Sequence, residues 1–180
     1  MQPSVRIESG AKSALDPNVV VTVEPYVAGD VPGLDLIVPD IRTIEPKRTF
    51  GDKVLILHGV RRWFEIRGEI RQEGQRVTRH YYDVHCFVHA EIGAVAVEDG
   101  ALAADSWRHA RIFFGRPDLD LDSAVPGTFA LVPTSQMIDR LREDYARMAG
   151  MIFGATPSFE DVMTSITDLE QRLNRHPESA

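Results

Sequence analysis

Pro46 divides this chain into two stretches that must bury their apolar residues in different ways. Before it the pattern is strand-like. Ser4–Ser9 alternates Val5 and Ile7 against Arg6 and Glu8, and Asn18–Val23 is a β-branched run. Leu34–Val38 and Ile41–Ile44 are weaker candidates, bounded by Pro32, Gly33, Pro39 and Pro46, which predicts short or edge strands because proline cannot donate to a ladder. After Pro46 the period becomes helical. Strands followed by helices, rather than alternating with them, predict an α+β fold: a small, partial sheet in residues 1–46 and a mainly helical portion in residues 47–180, packed as one folding unit.

Five helices are predicted. Phe50, Val54, Leu57 and Phe64 recur at helical spacing behind Thr49 and Asp52, which place a helix at about Thr49–Ile66 with a capping-box-like start. Gly68–Val77 reads as a solvated loop. A second helix over Thr78–Ala90 carries Tyr81, Tyr82, Val84, Cys86, Phe87 and Val88 around most of its circumference, which predicts a central position. Ala101–Phe114, Ser135–Met148 and Phe159–Asn174 follow, the last capped by Ser158 with Asp161 three residues on. Its stripe of Phe159, Val162, Met163, Ile166, Leu169 and Leu173 is a packing face.

At 180 residues the chain is of single-domain size, and 43% hydrophobic with 26% charged residues supply a globular core and a solvated surface. Cys86 is the single cysteine, so no internal disulfide and no cysteine-based zinc cluster can form. No signal peptide or membrane-spanning run is evident, and the expected location is the cytoplasm. The net charge of −7 disfavours indiscriminate binding to nucleic acid, but it is unevenly spread. Residues 47–79 hold nine basic groups against four acidic ones, a local excess of positive charge and the candidate anion site.

Within that segment Arg61 falls on the same helical face as Phe50, Val54 and Leu57, and Lys53 sits at its margin beside Leu57 and Phe64. Two cations bordering an apolar face either extend their heads to water or face a cleft where a phosphate or carboxylate compensates them. Arg79 and Asp83, four residues apart, can pair along the helix they begin, as a structural ion pair or as part of a polar site. His85 and His89 have the i, i+4 spacing of two metal ligands, yet His-Glu-x-x-His is absent and ordinary hydrogen-bonded histidines are the better reading. Phosphate-binding glycine loops and a G-x-S-x-G elbow are missing, which removes support for kinase, Rossmann or hydrolase chemistry.

Taken in order, Val5–Ser13, the block Ile44-Glu45-Pro46-Lys47-Arg48-Thr49-Phe50-Gly51-Asp52-Lys53 with Leu57-His58, the block Arg79-His80-Tyr81-Tyr82-Asp83, and Met151–Phe159 resemble the AbiEii/AbiGii family of nucleotidyltransferase-like toxins. The resemblance covers nearly the whole chain. It implies a nucleotidyltransferase core joined to a helical portion, acting as the toxin of a bacterial toxin–antitoxin or abortive-infection system. It further implies use of a nucleoside triphosphate and Mg²⁺, a tRNA-like or protein acceptor, and an antitoxin encoded nearby. Carried over by position, Lys53 matches the lysine of the family's Arg-Thr-Phe-x-x-Lys block, and Arg79 and Asp83 match the ends of its Lys/Arg-x-x-Tyr-Asp block. Glu8 lies on the strand where a third acidic residue occurs in such folds.

Lys53, Asp83 and Glu8 are therefore the candidate catalytic residues, and Lys53, Arg79 and Arg61 the candidate phosphate-binding ones. The family's metal pair belongs to a Gly-Ser/Gly-Gly…Asp-x-Asp block that nothing before Glu8 matches, so the chain resembles a member beginning part-way through the fold. Asp118-Leu119-Asp120 has the spelling but sits in a proline-flanked loop, and reads as a helix connection. Two functions stay open: an Mg²⁺-dependent, impaired nucleotidyltransferase, or a non-catalytic remnant that binds nucleotide, RNA or a companion chain. An incomplete sheet also predicts exposed edges and self-association.

Overall fold

The computed structural model describes residues 14–31, 33–71, 76–152 and 154–175. The chain divides into two compact units, Met1–Glu45 and Pro46–Ala180.

The first unit holds an antiparallel pair, β1 (Asn18–Val23) and β2 (Val38–Ile44), with Asn18 opposite Ile44 and Val23 opposite Val38. The expected strands Leu34–Val38 and Ile41–Ile44 are one strand instead. Pro39 is tolerated inside it because the register is irregular between Val21 and Val23, and because among the described residues the sheet has two strands, each of them an edge. Asp40 takes a φ of 58°, a left-handed conformation that aspartate accepts more readily than most residues. A short 3-10 turn, Tyr26–Asp30, lies between the strands. Val19, Val20, Val23, Val38 and Ile41 remain exposed. The expected strand Ser4–Ser9, with Glu8, lies outside the described residues.

The second unit contains six helices: α1 (Pro46–Arg67), α2 (Thr78–His89), α3 (Glu91–Glu98), α4 (Gly100–Phe114), α5 (Ser135–Met148) and α6 (Phe159–Asn174). α1 begins three residues before the expected Thr49, since proline's fixed φ suits a first turn whose N–H groups have no helical partner. Thr49 and Asp52 therefore lie inside the helix, and Asp52 meets Arg48 at 3.4 Å.

α1 is the centre of this unit and packs against α2, α3 and α4. Phe50, Val54, Leu57 and Phe64 join Tyr81, Val84, Leu141, Ile166 and Leu169 in the larger core. Leu55, on the opposite side of α1, packs with Ala110, Leu119 and Leu121 in a smaller one. Burial on two faces fixes α1 in place.

α2 carries apolar residues into the core on most of its circumference, as expected. Thr78, Tyr81 and Val84 are fully buried and Tyr82, Phe87 and Val88 pack half-buried against the same core, while His80, Asp83 and His85 share the rest of the circumference. α3 was not expected at all. The chain leaves α2 at Ala90 and re-enters a helix so tightly that a Cβ on Gly93 would lie 2.1 Å from the Phe87 carbonyl oxygen, a turn only glycine fits. α6 begins with a complete capping box, the Ser158 hydroxyl accepting from the Asp161 N–H and the Asp161 carboxylate accepting from the Ser158 N–H.

Candidate functional site

The polar residues of α2 are placed by its capped N-terminus. Asp144 of α5, only 5% exposed, accepts hydrogen bonds from the Thr78 N–H (3.0 Å) and the Thr78 hydroxyl (2.8 Å). A carboxylate at the start of a helix satisfies a donor that has no helical partner and favours the positive end of the helix dipole. With that end anchored and Tyr81 and Val84 in the core, His80 and Asp83 turn toward α1.

There they meet Lys53. Its ammonium stands 2.6 Å from Asp83 Oδ2 and 3.1 Å from His80 Nδ1, so a cation of α1 bridges two polar residues three apart on α2. Because the ammonium can only donate, His80 Nδ1 accepts and the imidazole proton sits on Nε2. Burial, then the charges of Lys53 and Arg79, push the His80 pKa down to about 4 against the opposing pull of Asp83. His80 is thus neutral near pH 7 and leaves the lysine charge opposed by Asp83 alone. The Lys53 and Asp83 side chains are 21% and 34% exposed, dry enough for a strong charge-assisted bond and open enough for an incoming anion.

The other expected residues lie as follows. Arg79 is exposed and does not pair with Asp83 along the helix, because Lys53, brought in by the packing of α1 on α2, holds that carboxylate. Arg61 pairs with Glu65 at 2.8 Å and donates to the Val132 carbonyl, away from Lys53 and Asp83. Glu8 lies outside the described residues. His80, not among the expected site residues, is the missed member. Its signal was present, since i, i+3 spacing puts it on the face of Asp83.

His85, His89 and His58 are structural. His85 Nδ1 and His89 Nε2 both bond the Ser165 hydroxyl of α6, at 2.9 and 3.0 Å. His58, fully buried, accepts from the Ala130 N–H through Nδ1, so its Nε2–H points at the Asp120 carbonyl and the Ser123 hydroxyl, each 3.1 Å away. Burial holds its pKa below the ordinary imidazole value. Between α4 and α5, Asp118 sits in the 3-10 turn Pro117–Leu119 and Asp120 joins that turn to the next, Leu121–Ser123. Asp118 pairs with Arg67 and Asp120 with Ser123 and Arg62.

Magnesium binding needs several oxygen ligands around an octahedron. Asp83 already spends one oxygen on Lys53, and among the described residues no three of His, Cys, Asp or Glu come together to hold a metal. These residues do not by themselves fit the ion.

A family profile described as "Nucleotidyl transferase AbiEii toxin, Type IV TA system" matches residues 1–165, a span that includes β1, β2, the Lys53–His80–Asp83 cluster and the start of α6. The chain belongs to the AbiEii nucleotidyltransferase toxin family. Comparisons with curated proteins and with solved structures found no match. Membership in a toxin–antitoxin family implies an antitoxin partner for this AbiEii protein. None of its described helices is long and apolar enough to cross a membrane.

Proposed function

We propose that this AbiEii protein transfers a nucleotide from a nucleoside triphosphate to an RNA acceptor such as tRNA, with Lys53 and Asp83 at the reacting end of the triphosphate. The 2.6 Å contact between the Lys53 ammonium and the Asp83 carboxylate, left partly open to solvent, carries this reading. In the transfer an acceptor hydroxyl attacks the α-phosphorus, the bond to the departing pyrophosphate breaks, and the hydroxyl proton is lost. Negative charge grows on the phosphate oxygens as the bonds exchange. Lys53 offsets it, and Arg79, exposed one residue before His80, adds a second cation beside it. Asp83 holds the lysine in position and is free through its second oxygen to orient the attacking hydroxyl. Mg²⁺, which the family implies, would supply charge neutralisation to the triphosphate, and the described residues at this cluster do not form a site for it.

A second reading, a binding module without catalysis, is favoured by one observation: a single carboxylate stands at this cluster among the described residues. Incubation of the purified chain with Mg²⁺, each labelled nucleoside triphosphate and bulk tRNA separates the two. Transfer that falls about 100-fold or more in both Lys53→Ala and Asp83→Ala, with helical content unchanged, supports catalysis. Absence of label in every sample, wild type included, overturns it in favour of the binding module.

A further inference from the structure

Away from the Lys53 cluster, three arginines converge on one ring. The guanidinium carbons of Arg67, Arg71 and Arg116 stand 5.6, 5.6 and 5.5 Å from the centre of the Trp63 indole. No two of them can then be more than 11.2 Å apart, twice the longest of these distances, which is close to the screening length of about 8–10 Å in physiological salt. Their mutual repulsion is therefore felt. A single indole offsets a cation by about 0.5–1 kcal/mol at a surface, and it has only two faces to offer.

Carboxylates do not make up the difference. Asp118 pairs with Arg67 at 2.5 Å. Glu65 is held by Arg61 and Arg62, and Asp120 by Arg62 and the Ser123 hydroxyl. Arg71 and Arg116 have no ion pair among the described residues, and the Trp63 indole N–H, buried beneath them, has no acceptor. In a chain of net charge −7, two uncompensated guanidiniums on one half-buried ring are out of keeping with the whole surface.

We propose that the Trp63 arginine cluster seats the phosphodiester backbone of an RNA strand. Guanidinium forks match phosphate oxygens two at a time, and a stacked arginine is already held in place, so little side-chain freedom is lost on binding. Unpaired RNA presents flat bases as well as phosphates to an arginine–indole stack, which a carboxylate-bearing peptide does not. Trp63 lies ten residues beyond Lys53 on the same straight helix, about 15 Å along its axis. The cluster is therefore a second surface, and the inference holds whether or not the Lys53 site transfers a nucleotide.

The test is anisotropy of a fluorescently labelled single-stranded oligoribonucleotide titrated with the full chain at several KCl concentrations, without nucleotide or divalent metal. Arg71→Gln combined with Arg116→Gln removes two phosphate contacts, so the slope of log Kobs against log salt becomes shallower by about 1.4. At 0.1 M salt that corresponds to about 25-fold weaker binding, for any sequence. Arg142→Gln combined with Arg147→Gln removes the same charge from α5 and leaves the slope unchanged. The proposal is overturned if wild type and the Arg71/Arg116 variant share one slope, or if the α5 variant moves it equally. It is also overturned if the Arg71/Arg116 variant keeps RNA but loses the antitoxin, which would make this a protein-binding surface.

Discussion

Replacing His80 with glutamine removes one titrating group from the Lys53 cluster while keeping an oxygen that can accept from the ammonium. In the folded chain His80 titrates at about 4, chiefly through burial and then through Lys53 and Arg79, against an ordinary value of about 6.5. A depressed histidine pKa means that the unfolded chain takes up the proton first on acidification. Stability from this group is therefore whole above about pH 6.5 and is lost progressively down to about pH 4. With those two values, His80 accounts for a loss of about 2 kcal/mol between about pH 7 and pH 5. His58 and His85 also have lowered pKa values and add to the wild-type slope, so the informative quantity is the difference between the two proteins. Urea unfolding of wild type and His80→Gln at both pH values measures it. The variant should lose about 2 kcal/mol less than wild type over that interval, whatever its stability at neutral pH. Parallel pH dependences, or an NMR titration placing the His80 imidazole near its ordinary value, would refute the burial and neighbouring-charge argument.

Two further outcomes are expected. Asp144→Ala strands the Thr78 N–H and hydroxyl without their buried acceptor and should cost about 2–4 kcal/mol in urea unfolding, most of it recovered by Asp144→Asn, which keeps an acceptor oxygen. The exposed valines and isoleucine of β1 and β2, both edge strands among the described residues, should make the mass from light scattering rise with concentration, and Val20→Lys with Ile41→Lys should abolish the rise; one constant monomer mass across concentration would count against it.

How far the sequence could be read depended on the range of the interaction. Ser158 and Asp161 sit three residues apart, so the cap of α6 is written locally, and the stripe Phe159, Val162, Ile166 and Leu169 follows from the helical period alone. The split of the expected β2 into two strands failed because the cost of Pro39 depends on whether a neighbouring strand needs its N–H, which spacing does not reveal. α3 was missed for a related reason. Glu91–Glu98 is short, and what lets it form is the close approach of Gly93 to the end of α2.

The candidate site shows the same division. Residue type and spacing marked Lys53, Arg79 and Asp83 as charges in need of partners, and the family blocks singled out the same three. They could not say who pairs with whom. A local Arg79–Asp83 bond on a helix surface is worth a few tenths of a kcal/mol, and the packing of Tyr81 and Val84 beneath α1 instead delivers Lys53, thirty residues distant, to the same carboxylate in a partly dry setting.

Alone, then, the string of residues determined β1, the five longer helices to within a few residues and which charges sit among apolar neighbours, because propensity, period and capping act over three or four residues. Tertiary structure alone decided that Lys53 joins His80 to Asp83, that Asp144 caps α2, and that Arg116 comes back to share Trp63 with Arg67 and Arg71. Each of those meetings crosses tens of residues, and it is made only when burial of the two faces of α1 draws the helices together.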